Sequence, residues 1–194
     1  MIEVQTPTFA AAHKRLVDHS SAVAELLEVL DGTYEPAIHM LLTCLGGGGK
    51  ILTCGNGGSH AQAAHMAAEL TVRFDLDRRA LAAVCLSGEP TALTAAGNDY
   101  GYHRAFARQV EALGRSGDVL VVFSTSGKSA SCREAIAEAH ARGVLVLGIA
   151  GRKGFELGCD IEIIAPGSST AIIQEMHLLL VHMLVEGLER GVPS

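Results

Sequence analysis

His65 and Glu69 stand four residues apart, and Gln174 and His182 stand eight apart. On helices, the first pair shares one face a single turn apart, and the second lies on broadly the same side two turns apart. Two imidazoles, a carboxylate and an amide oxygen make a four-donor set of the kind that holds zinc, and a Glu beside a His is an acid–base pair. Gln is an unusual zinc ligand. Spacing alone therefore leaves the plainer reading open, in which His65 and His182 are satisfied core or surface histidines.

Two further strings have the chemistry of anion loops. In Cys54-Gly55-Asn56-Gly57-Gly58-Ser59, three glycines allow positive φ and close backbone approach, and Ser59 suits the cap of a following helix. The unpaired N–H groups at a helix start carry partial positive charge. Ser124-Thr125-Ser126-Gly127-Lys128-Ser129 adds four hydroxyls, a cradle for a phosphate dianion that needs no fixed cation. Neither the spacing of a dinucleotide loop nor the lysine of a Walker loop is present in the first string. A bare turn is the alternative at each; two such loops favour phosphate binding. Asn98-Asp99 reads as a turn that could also hold sugar hydroxyls. His60 and His103 flank these strings, His177 falls near the site or at an interface, and His13, His19, His39 and His140 read as surface residues.

The elements that must position these groups follow from hydrophobic rhythm. Helical spacing predicts helices over about 8–30 and 35–45, the second with Pro36 in its first turn. Apolar runs at 51–54, 81–86, 119–123, 144–149 and 161–164 then alternate with helical stretches near 61–72, 105–113, 129–142 and 171–190. Wholly apolar strands alternating with helices imply a parallel sheet covered on both faces, a doubly wound three-layer α/β/α sandwich of five strands behind two N-terminal helices. Ligands of such folds bind beyond the carboxyl ends of the strands, where both loops fall. With no linker or repeat, 1–194 reads as a single domain: 1–47 the N-terminal helices and 50–190 the α/β core.

The 194 residues are 48% hydrophobic and 19% charged, with a formal charge of −6. That composition gives a packed core and excludes a basic nucleic-acid-coating protein. Phosphorylated small molecules stay possible, because backbone amides bind them without a basic balance. Five scattered cysteines, Cys44, Cys54, Cys85, Cys132 and Cys159, read as reduced thiols. The N-terminus carries no signal-peptide pattern, and no apolar run approaches the roughly 18 residues of a membrane helix. The expectation is a cytoplasmic protein without nucleic-acid or membrane partners.

Taken in order, Cys54-Gly55-Asn56-Gly57-Gly58-Ser59, His65-x-x-x-Glu69-Leu70-Thr71, Gly97-Asn98-Asp99-Tyr100-Gly101, Ser124-Thr125-Ser126-Gly127-x-Ser129 and Ile173-Gln174-Glu175-x-His177-x-x-x-x-His182 resemble the phosphoheptose isomerases of the sugar isomerase (SIS) family. The likeness runs over about residues 10–190. It implies the SIS, flavodoxin-like fold and interconversion of sedoheptulose 7-phosphate with D-glycero-D-manno-heptose 7-phosphate, early in activated-heptose synthesis. It implies one zinc per subunit on His65, Glu69, Gln174 and His182, with Glu69 and His182 moving protons through an enediol. It implies substrate contacts at Asn56, Gly57, Gly58, Ser59, Glu69, Asn98, Asp99, Ser124, Thr125, Ser126, Ser129 and Gln174, and a homotetramer whose active sites lie between subunits, with the N-terminal helices in assembly.

The chain departs from the family pattern in two places. Ala171-Ile172 replaces an Asp-Arg pair ahead of Ile173-Gln174-Glu175, and Lys128 replaces an Asn. They keep open an isomerase of another phosphosugar. A non-catalytic SIS phosphosugar-binding protein, of the replication-regulator type, would lack the groups matching Glu69 and His182.

Overall fold

The computed structural model describes residues 9–192. Two helices come first, α1 (Phe9–Leu30) and α2 (Tyr34–Gly46). The alternating core follows: β1 (Ile51–Gly55), α3 (Gly58–Thr71), β2 (Ala83–Cys85), α4 (Pro90–Asp99), a 3-10 turn at Tyr102–Arg104, α5 (Ala105–Leu113), β3 (Val119–Ser124), α6 (Ala130–Ala141), β4 (Leu145–Ala150), β5 (Ile161–Ile164) and α7 (Thr170–Gly191). Residue 8, where the sequence starts the first helix, lies outside the described residues.

The five strands form one parallel sheet in the order β2-β1-β3-β4-β5. Every residue of β1 and β3 is buried. Their side chains alternate between two cores, as a strand's period of two requires: Ile51, Val119, Val121 and Phe123 face α1, α2, α3 and α7, while Leu52, Leu120 and Val122 face α5 and α6. The chain runs β1 to β2 on one side and returns to β3 on the other. The switch point thus opens between the carboxyl ends of β1 and β3, the two strands that feed the anion-type loops.

Three sequence expectations change. Helix α4 is absent from the hydrophobic rhythm because its interior holds Thr, Gly97 and Asn98, weak formers. It is nonetheless started locally, with Pro90 in the first turn and the Glu89 carboxylate accepting from Thr91 N at 2.9 Å. Asn98 and Asp99 therefore end a helix rather than make a free turn. Helix α3 begins at Gly58, so Ser59 is buried inside its first turn and caps nothing. Finally, α7 is long and apolar enough to cross a membrane by length and composition, with mean hydropathy 1.4 over its best window. It is instead the core helix of one layer, burying Ile172, Met176, Leu180, Val181, Leu184 and Leu188.

The N-terminal helices pack onto that layer. In α2, Tyr34 donates to Met183 O at 2.7 Å, and Ile38 fills the space a side chain at Gly187 would take. Helix α1 is tethered at its polar side: Arg15 and His19 reach Glu175 at 2.6 and 2.7 Å, and Arg152 grips Glu25 with two bonds of 2.7 and 2.6 Å. Phe9, Leu16 and Leu27 of α1 remain largely exposed.

Candidate functional site

Helices α3 and α7 lie side by side and run in the same direction. Gly58 meets Gln174 at one end, His65 meets His182 in the middle, and the chain after α3 meets Glu189 at the other. At Gly58 a Cβ would stand 2.4 Å from the Gln174 amide nitrogen, so only glycine admits that contact. Gln62 Nε2 donates to Gln174 O at 3.4 Å. The Nε2 atoms of His65 and His182 face each other at 3.0 Å, and His65 Nε2 is 3.4 Å from Glu69 Oε1. All three side chains stay partly open to solvent.

One side of this cluster is fixed by residues the sequence reading did not single out. Phe74 stacks on the His182 ring with centroids 5.4 Å apart and planes 22° apart. The Phe74 backbone is held in turn by Glu189, whose buried carboxylate accepts from the N–H groups of Phe74, Asp75 and Leu76 at 2.8, 2.9 and 3.1 Å and pairs with Arg78 at 3.2 Å. Burial pushes the Glu189 carboxyl up, but these bonds and the guanidinium outweigh it and hold its pKa below the ordinary value. A glutamate near the carboxyl end of an apolar helix was the available signal.

Across the switch point the two loops interlock. Asn56 donates through Nδ2 to Ser129 Oγ at 2.7 Å and Ser131 Oγ at 3.0 Å, while its Oδ1 accepts from Tyr102 OH at 2.7 Å. Tyr102 follows α4, so the same contact draws the Asn98–Asp99 end of that helix toward the first loop. Of the three glycines only Gly57 takes positive φ, at 55°; Gly55 instead lets Ser59 approach. In the second loop Ser124 Oγ accepts from Gly127 N at 3.1 Å and Ser126 Oγ from Lys128 N at 3.3 Å. Gly127 has φ +67° and its missing Cβ would sit 1.7 Å from Gly154 O. That contact docks the Ser-rich loop on the loop after β4.

The cradle is not neutral. Thr125 and Ser126 line a cavity of about 290 Å³ together with Lys128, Arg152, Lys153, Gly167 and Ile173. Arg152 and Lys153 escaped the sequence reading because the turn that carries them, between Gly151 and Gly154, has no hydroxyl residues. His177 is fully buried beneath this end of the sheet, against Phe123 at 5.9 Å, and neither ring nitrogen has a hydrogen-bond partner. Burial lowers its pKa to about 4, against a small opposing pull from the Ala150 backbone.

An SIS domain model matches residues 18–151. A phosphoheptose isomerase of Helicobacter pylori (strain P12) is 45% identical over 179 residues, covering 91% of this chain and 93% of the relative. The solved phosphoheptose isomerase of Neisseria gonorrhoeae superposes with a TM-score of 0.86 at 41% identity, over 93% of this chain and 98% of the other. That of Francisella tularensis gives 0.88 at 33% identity, over 95% and 100%. The chain belongs to the phosphoheptose isomerase family.

For a phosphoheptose isomerase the expected zinc ligands are His65, Glu69, Gln174 and His182. The chemistry of the donor set fits. The imidazole nitrogens stand 3.0 Å apart, near the separation of about 3.3 Å for two nitrogens each about 2.0–2.1 Å from one tetrahedral zinc. The Gln174 amide lies against Gly58, two helical turns or about 10 Å along α3 from His65. Among the described residues no three His, Cys, Asp or Glu side chains converge on one point. Of the positions at which this chain departs from the family pattern, Lys128 borders the cationic cavity and Ala171 lies in the first turn of α7, three residues before Gln174.

Proposed function

We propose that this chain is an aldose–ketose isomerase that converts sedoheptulose 7-phosphate to D-glycero-D-manno-heptose 7-phosphate, supplying activated-heptose synthesis. The observation that carries the reading is His65, 3.0 Å from His182 and 3.4 Å from Glu69, on the helix that leaves the Asn56 loop, which is itself bonded to the Ser-rich loop through Ser129. A ketose becomes an aldose when a base takes the C1 proton, the electron pair forms the C1=C2 bond, and the C2 oxygen is protonated to an enediol. Returning a proton to C2 while O1 loses one completes the exchange. Glu69 moves the carbon-bound proton. His182, held on Phe74, moves the oxygen proton or opens the sugar ring. Asn56, Gly57, Gly58 and Gln174 align the polyol, and Ser124, Thr125, Ser126 and Ser129 with the α6 N-terminus take the phosphate.

Zinc, one per subunit, would be held by His65, Glu69, Gln174 and His182, and when bound supplies a Lewis acid that polarises the carbonyl oxygen. Homotetramer assembly through α1 is supported by the apolar side chains that helix leaves exposed. A cytoplasmic setting is supported by five free cysteines. A phosphosugar-binding protein without catalysis is disfavoured because Glu69 and His182 are both present and within reach of His65. Ala171 keeps the isomerase of a different phosphosugar as the second reading.

The test is a panel of five-, six- and seven-carbon ketose phosphates. The heptulose 7-phosphate should give the highest kcat/KM; preference for a shorter sugar selects the second reading, and no turnover of any selects a binding protein. Elemental analysis of the purified protein should find about one zinc per subunit. Activity should fall with chelator and return with Zn²⁺; full activity in metal-free protein removes zinc from the account.

A further inference from the structure

Ser129 occupies the N-cap of α6, yet its side chain makes no capping bond. A serine there ordinarily spends its oxygen on the N–H groups of the first turn. Here the oxygen is turned aside, to Asn56 Nδ2 at 2.7 Å and Ser131 Oγ at 3.0 Å. Ser131 is only 2% exposed, and its Oγ has the same neighbours, with Asn56 Nδ2 at 3.0 Å. Counting donors assigns the hydrogens. The Asn56 amide nitrogen carries two and faces two serine oxygens, whereas the amide oxygen faces one partner, the Tyr102 hydroxyl at 2.7 Å. Turned over, the amide would leave one N–H without an acceptor in this cluster. As it stands, Tyr102 donates to Oδ1 and Nδ2 donates to both serines. The oxygen left for the Ser131 hydrogen is Ser129 Oγ; the Cys132 sulfur, 3.8 Å from Asn56 Nδ2, is a weak alternative. Both lone pairs of Ser129 are then filled, and its own hydrogen is free for an acceptor outside the cluster.

We infer that Tyr102 is a positioning residue for the substrate phosphate: by donating to Asn56 it fixes the amide's orientation, and the fixed amide makes Ser129 a hydrogen-bond donor to a phosphate oxygen. A phosphate dianion offers only acceptors, so a serine that presented lone pairs to it would repel it. Without the phenol hydrogen the amide is free to turn over, and its oxygen then draws the serine hydrogens inward. Tyr102 is held for this task. Its ring packs edge-on against Phe106 with centroids 6.2 Å apart. Partial burial, with the Cys132 and Cys54 thiols nearby, raises its pKa above the ordinary value near 10, so the phenol keeps its hydrogen at working pH. The inference rests on the reading that Ser129 takes the sugar phosphate. It adds the 3-10 turn after α4 as the element that aims that serine.

Steady-state kinetics on sedoheptulose 7-phosphate with Tyr102→Phe, Ser129→Ala and the double variant test it, alongside the inhibition constant of inorganic phosphate as a competitor. Tyr102 is 51% exposed, so Tyr102→Phe should fold as the wild type does, with an unchanged urea midpoint. It should raise KM roughly three- to tenfold, the worth of one hydrogen bond, and leave kcat unchanged. Ser129→Ala should raise KM at least as much. Adding Tyr102→Phe to Ser129→Ala should raise it no further, because the donor that the tyrosine orients is gone. The phosphate inhibition constant should follow KM in each variant. An unchanged KM in Tyr102→Phe beside a raised one in Ser129→Ala would overturn the inference and leave the substrate reading standing, as would effects that multiply in the double variant. An unchanged KM in Ser129→Ala would take the phosphate away from this serine, and the substrate reading of the loop would fall with the inference.

Discussion

Glu69 carries two assignments, metal donor and base, and its position shows how one side chain can serve both. It sits one turn beyond His65 on α3, 3.4 Å from the imidazole and partly open to solvent, so its carboxylate is free to face either a metal at the histidine pair or a substrate. Glu69→Gln keeps the size and hydrogen bonding while removing the base. Turnover should fall by roughly 10²-fold or more with the fold intact, as kcat beside a far-ultraviolet spectrum would show; near-normal turnover ends the assignment. The buried His177 makes a prediction of a different kind. Its pKa, about 4 in the folded chain, lies below the ordinary value near 6.5, so between those values the unfolded chain binds a proton that the folded one refuses. The stability it contributes is full above about pH 6.5 and is lost as pH falls toward 4, by about 3 kcal/mol. Urea unfolding at pH 7 and pH 4.5 should show the loss, and His177→Leu should flatten it. The facing of His65 and His182 was legible as two spaced pairs. The burial of His177 was not, because three residues from Gln174 on an apolar helix permits either side.

At the scale of elements, the alternation of strands and helices was legible from apolar rhythm, since a buried parallel strand leaves an uninterrupted apolar run. The pairing of loops with distant side chains was not, because a polar residue that satisfies backbone groups a hundred positions away leaves no local period. The Glu189 clamp is the case in point: it orders residues 74–76 and thereby sets the Phe74 ring on His182. Glu189→Gln removes the charge from three backbone donors and leaves the Arg78 guanidinium buried without its partner, a loss of about 3–5 kcal/mol for a buried pair, readable as a lower urea midpoint. Phe74→Leu keeps the clamp and deletes the stack, worth about 0.5–1.5 kcal/mol. Here kcat should drop roughly two- to tenfold with KM unchanged; an equal change in both would mean that Phe74 positions substrate rather than His182.

At the scale of the whole molecule, α1 is a helix whose outer side leaves large apolar side chains exposed. Phe9, His13, Leu16, Ser20, Val23, Leu27 and Leu30 recur at alternating steps of four and three, the spacing of a coiled-coil seam, although Val23 and Leu30 also pack against the core. Phe9, Leu16 and Leu27 on it are 80%, 66% and 72% exposed, while ion pairs to Glu175 and Arg152 fix the opposite side. Leu16→Glu/Leu27→Glu should therefore lower the sedimentation mass toward that of one chain without unfolding it; an unchanged assembly would remove α1 from the interface. The parallel course of α3 and α7 has a separate consequence. The chain crosses from β5 to α7 through Ser168 and Ser169, both exposed. Severing it there would put His65 and Glu69 on one peptide and Gln174 and His182 on the other. Each fragment alone would lack half of the proton-handling groups, and mixing them should restore turnover, since the apolar face of α7 has a ready bed between α2 and α3 to return to.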